Sequence, residues 1–163
     1  MKSYSLALFL ALALLPPAFG KTFKVPDEES FASITIPDAW KAKEIDKGVE
    51  AQSPDGEVWF AVEGTDAKGL DKTIEEAVDF LKEKGVTVDL TTQKQSSSKL
   101  NGMDTTELDW KGTDKDGAAE ISLSVIAINS DHALLVTYWA SPEGTKKHIS
   151  DLGDIVNSIK AIK

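Results

Sequence analysis

Apolar and polar positions alternate with a period of two through Ser33-Ile34-Thr35-Ile36, the pattern of a strand with one buried face. Pro37 ends the run because proline cannot donate to a ladder, and Trp40 is expected to fold back over the sheet edge. Val49–Gln52 and Glu57–Val62 flank Ser53-Pro54-Asp55-Gly56. A Pro-Asp-Gly step between two such runs predicts a hairpin, since glycine takes the positive φ that the turn requires. The period then changes. Leu70, Ile74, Ala77, Val78 and Leu81 recur on one face of a helix, with Asp71 or Thr73 as its expected cap and Gly85 as its stop.

The second half returns mostly to strands. Val86–Leu90 is expected to be one, and Gln95-Ser96-Ser97-Ser98-Lys99 a short polar loop. After Asn101-Gly102, Thr106, Leu108 and Trp110 share one phase while Glu107, Asp109 and Lys111 share the other. Asp116-Gly117 and Asn129-Ser130-Asp131 predict turns on either side of Ile121–Ile128, and Ala133–Ala140 follows. These two runs are the most apolar after the first twenty residues, so they are expected at the centre of the sheet. Ser141-Pro142-Glu143 combines an N-cap, a proline at the first helical position and an acid in the first turn. Ile149, Leu152, Val156 and Ile159 then predict an apolar stripe on a C-terminal helix. Hairpins interleaved with two amphipathic helices imply an α+β fold, with helices packed on an antiparallel sheet.

The opening residues read as an address. Lys2 precedes an unbroken Leu/Ala/Phe run, Leu6–Leu15, and Pro16-Pro17 and Ala18-Phe19-Gly20 follow. That order predicts a signal peptide over residues 1–20, cleaved before Lys21. The run is about half the roughly 20 apolar residues that a membrane span needs. One domain is expected over residues 21–163, in the periplasm or secreted, without a lipobox cysteine and without stable membrane insertion.

Composition narrows the partners. The chain has 163 residues, 27 acidic against 18 basic, and every basic residue is Lys. Without Arg, and with a net charge of -9, it is poorly equipped to neutralise phosphates, which excludes nucleic acid as an expected partner. It has no Cys, which removes disulfides, thiol catalysis and thiolate metal sites. No cofactor is expected. The expected partner is a protein, and the expected state a monomer or weak dimer.

Phe31-x-x-Ile34-x-Ile36-Pro37-x-x-Trp40 resembles the opening of the PsbP-like superfamily. That group includes the extrinsic photosystem II protein, a Ran-binding nuclear-import adaptor and DcrB-like exported bacterial proteins. The Asp55-Gly56 hairpin, the middle helix, the paired long strands and the Ser141-Pro142-Glu143 helix follow the same order over Phe23–Lys163. The resemblance implies an α/β/α sandwich around an antiparallel sheet, and a non-enzymatic binding, adaptor or assembly role. It carries over no functional residue.

Candidate chemistry is sparse. His148 and Asp151 stand at i, i+3 on a helix and can share an ion or simply a surface hydrogen bond, and His132 falls in a turn. Asp114-Lys115-Asp116-Gly117 hints at a calcium loop, yet Gly112 and Leu123 occupy positions where an EF-hand needs acids. Low-affinity Ca or Mn binding by Asp109, Asp114 and Asp116 is the alternative function. A hydrolase using a carboxylate pair stands third, although no nucleophile elbow, zinc helix or phosphate loop occurs. Trp59 and Trp139 are out of phase with their most apolar neighbours. They are core if both sheet faces are covered, and a binding patch for a protein or sugar if one face is open.

Overall fold

A computed structural model describes residues 20–162. The signal segment expected at residues 1–20 therefore lies outside the described residues, apart from Gly20. Ten strands and three helices follow in the order β1 (Gly20–Val25), β2 (Ala32–Pro37), β3 (Lys43–Ile45), β4 (Gly48–Gln52), β5 (Val58–Asp66), α1 (Leu70–Glu83), β6 (Thr87–Leu100), β7 (Met103–Asp114), β8 (Gly117–Ala127), β9 (His132–Ala140), α2 (Pro142–Lys147), α3 (Ile149–Asn157) and β10 (Lys160–Ala161). The fold is α+β. A seven-stranded antiparallel sheet runs β3-β4-β5-β9-β8-β7-β6, and a three-stranded one runs β1-β2-β10.

The two most apolar runs, β8 and β9, do lie inside the large sheet, with β9 in the middle. One face is covered by α1, whose Ile74, Ala77, Val78 and Leu81 pack on Leu123, Leu135 and Ile121. The other face meets a mixed layer, because the small sheet joins the C-terminal helices there. Phe23, Val25, Ile34, Ile36, Ile155 and Ile159 bury against Val58, Phe60, Val62 and Leu134 in the main core. Trp40 is buried, and its ring packs against Phe60 and His148.

Three local expectations are corrected. Gln95–Lys99 is not a loop but part of the edge strand β6, which pairs with β7 from Leu100↔Met103 to Lys94↔Asp109 and resumes beyond a bulge. Residues 95–99 are exposed on both faces, so pairing there needs no apolar alternation to mark it. Neither Asp71 nor Thr73 caps α1. The helix starts at Leu70, the Asp66 carboxylate accepts from the Lys68 and Gly69 amides, and Thr73 is buried with its hydroxyl on the Gly69 carbonyl. The C-terminal stripe is half right: Leu152 and Ile159 face inward as expected, but His148 and Ile155 take the places expected for Ile149 and Val156. The inward face is His148, Leu152, Ile155 and Ile159, while Ile149 is 64% and Val156 42% exposed. His148 holds the place that counting apolar residues alone gives to Ile149, and it separates α2 from α3.

Candidate binding site

The register of the large sheet decides which side chains share a face. Phe60, Tyr138, Ser122 and Asp109 form one row across β5, β9, β8 and β7, and Val62, Val136, Ser124 and Glu107 form the next. Both rows lie on the face away from α1. They grade from apolar at β5 and β9 to polar at β7, and α3 stands over only the apolar end. A cleft of about 580 Å³ is left between the sheet and the helices. Leu100, Ile126, Val136, Leu152, Val156 and Ile159 give it an apolar side. Glu107, Asp109, Glu120, Ser122 and Ser124 give it a polar one. Its volume is within the range of roughly 300–1,000 Å³ typical of ligand sites.

Two polar contacts hold the cleft in shape. At one end, the Thr145 hydroxyl of α2 lies 2.9 Å from the Tyr138 hydroxyl and donates to the Glu120 carboxylate at 2.6 Å. Burial pushes the Tyr138 hydroxyl above its ordinary pKa, with the Glu120 charge adding a smaller push and the Thr145 bond opposing. At the other end, the Asn101 amide donates to the carbonyls of Asn157 (3.0 Å) and Ile159 (2.8 Å), tying the β6–β7 turn to the end of α3. Asn101 and Gly102 both have positive φ, 51° and 87°, so Asn-Gly supplies the turn as well as the tie.

One carboxylate on β7 is electrostatically unusual. Glu107 is half-buried, and burial first, the adjacent Asp109 second, raise its carboxyl above the usual range. Among the described residues, Glu107, Asp109 and Glu120 take part in no ion pair. Lys94, Lys99 and Lys111 also border the cleft, but all three are exposed, and Lys99 is paired with Asp104.

Of the residues singled out by sequence, Asp109 borders the cleft, while Asp114, Asp116, Trp59 and Trp139 do not. Trp59, Trp139, Ile121 and Trp110 form one continuous row on the α1 face. Trp59 is half-buried and stacks on Phe80 of α1 at 4.8 Å, while the half-buried Trp139 packs beside Leu81 and Val86 and donates its indole N–H to Asp114. Asp109 and Asp114 are five residues apart on β7, hence on opposite faces. Asp114 is occupied by the Trp139 indole and by the Asp116 and Gly117 amides. Among the described residues no group of three or more His, Asp or Glu is arranged to hold a metal ion.

His148 does meet Asp151, with Nδ1 3.9 Å from the carboxylate, but its stronger partner is Asp55, whose two oxygens lie 3.0 Å from Nε2. Lys147 chiefly, with Ser53 and His148, holds the Asp55 carboxyl far below its ordinary range. This network fastens the β4–β5 turn to the α2–α3 junction. His132 stacks on Phe31 at 4.4 Å. Neither imidazole lines the cleft. The alternation along β7 correctly puts Glu107 and Asp109 in one phase, but no local pattern places α3 opposite that phase, so the sequence alone does not reveal the cleft.

No protein-family model and no curated protein sequence matches the chain. Solved structures do. A Bacteroides thetaiotaomicron protein aligns with TM-score 0.59 and 16% identity over 88% of this chain, which spans about half (49%) of that protein's length. Cyanobacterial PsbP (CyanoP) from Synechocystis aligns with TM-score 0.58 and 10% identity, covering 91% of this chain and 95% of that one. LpqN, involved in cell envelope biogenesis of Mycobacterium tuberculosis, aligns with TM-score 0.51 and 14% identity, covering 92% and 88%. At these identities the likeness establishes the fold, which is PsbP-like.

Proposed function

We propose that the chain is an exported, non-enzymatic binding or adaptor module that takes a short segment of a protein partner into the cleft between the large sheet and α3. The observation that carries this reading is the cleft itself, apolar along α3 and β9 and lined with unpaired carboxylates along β7. Tyr138, with an apolar ring and a hydroxyl already bonded to Thr145, stands where the two halves meet. Export rests on the leader-like run at Leu6–Leu15. It accords with the fact that, among the described residues, no helix is long and apolar enough to cross a membrane.

The chain's lack of cysteine makes the test direct. Val156→Cys places a single thiol at the cleft lip, and Glu83→Cys places one on the outer surface of α1. Each is labelled with a thiol-reactive photo-crosslinker and exposed to the native envelope fraction. One partner trapped from position 156 and not from position 83 supports the reading. An equal pattern from both, or none, contradicts it. Steady turnover of an ester, glycoside or phosphate substrate contradicts the non-enzymatic part.

A further inference from the structure

The contents of the cleft specify the chemistry of what fits it. Glu107 and Asp109 stand two apart on the same face of β7, both half-buried, so their charges are held close in a partly desolvated place. The charged groups facing them are Lys94, the register partner of Asp109 on β6, and, further along, Lys111, Glu120 and Lys99, the last paired with Asp104. None of these Lys residues is in an ion pair with either acid. Directly beside this acidic wall, Val156 remains 42% exposed although it lines the cleft. An occupant that buries Val156 and brings its own cation to Glu107 and Asp109 therefore satisfies both walls at once, and an anionic occupant is repelled by one of them.

We propose, building on the binding-module reading, that the partner segment is basic and amphipathic. Its apolar side chains lie against Val136, Tyr138, Leu152 and Val156, and a Lys or Arg side chain reaches Glu107 and Asp109. Such a segment matches a helix-in-groove contact, with anchors repeating every three to four residues. The contact is charge-assisted in a partly buried site, so it falls with added salt but is not abolished by it.

The probes are two labelled amphipathic peptides of about three helical turns, identical except that one carries Leu and Lys and the other Leu and Glu. Anisotropy titration of the full chain is expected to give at least tenfold tighter binding of the Leu/Lys peptide. Glu107→Gln with Asp109→Asn is expected to weaken that binding about tenfold, as the loss of a charge-assisted contact implies. Glu75→Gln with Glu83→Gln removes the same charge from the outer face of α1 and is expected to leave binding within twofold. Equal affinity for the two peptides, no binding of either, or equal loss in both double variants overturns the proposal. If the peptides fail while Val156→Cys still traps a partner, the assigned chemistry is wrong and the binding module stands. If both fail, the binding-module reading falls as well.

Discussion

Replacing Asn101 with Gly isolates the tie that closes one end of the cleft. Asn101 sits at φ 51°, and glycine accepts that left-handed backbone without strain, so the turn survives while the side chain is lost. What disappears is a pair of hydrogen bonds, 3.0 Å to the Asn157 carbonyl and 2.8 Å to the Ile159 carbonyl. The first is exposed and water can replace it, so its net worth is about 0.5 kcal/mol. The second is partly buried and is worth about 1 kcal/mol. Glycine's larger unfolded-state entropy costs roughly what its unstrained backbone recovers. The expected loss is about 1.5 kcal/mol, or roughly 6 °C in Tm at about 4 °C per kcal/mol for a domain of this size. Asn101→Asp tolerates the same backbone but turns a carboxylate toward two carbonyl oxygens, so it is expected to melt lower still. Differential scanning calorimetry of the three proteins reads the order. A fall below about 1 °C for Gly, or a smaller fall for Asp than for Gly, refutes the reasoning.

The register of α3 gives a sharp contrast: Ile155→Ala is expected to cost about 2–5 kcal/mol in urea unfolding, and Val156→Ala under about 1 kcal/mol. Equal effects would show that the inward face is misassigned. Gly48→Ala would place a methyl carbon 1.9 Å from the Val62 carbonyl oxygen across the β4–β5 pair, so the variant is expected to fold poorly or melt far lower, and an unchanged melting curve contradicts the pairing. Asp55 has a depressed folded pKa. Its stabilising effect is complete above its unfolded value near 3.8 and is lost as pH falls below it, so the Tm gap between the wild type and Asp55→Asn should narrow on acidification. Glu107 has a raised one. Its destabilising effect sets in as pH climbs past 4.5, so Glu107→Gln should melt above the wild type at neutral pH and level with it well below 4.5. Parallel pH profiles would contradict either assignment.

Much of the large sheet was legible because its strands obey short-range rules. Alternation and turn chemistry locate β2, β4, β5, β8 and β9, and Ser141 caps α2 by accepting from the Gly144 amide. The misreadings arise where a long-range contact supplies what the local sequence does not. Gln95–Lys99 carries no apolar phase and is a strand because β7 lies beside it. His148 counts as polar in any hydrophobic pattern, yet Asp55, ninety-three residues away, satisfies its ring and lets it face inward. The cleft was illegible for the same reason. Its acidic wall comes from β7, its apolar wall from β9 and α3, and only the pairing of both strands with β8 and the docking of α3 bring them together.

The most direct test of the account is an amide spectrum of the isotopically labelled chain, titrated with the Leu/Lys peptide. The account predicts that the amides of Glu107, Ser122, Ser124, Tyr138 and Val156 shift together, while the indole signals of Trp59 and Trp139 beneath α1 hold still. Moving indoles above unmoved cleft amides would place binding on the opposite face and contradict it.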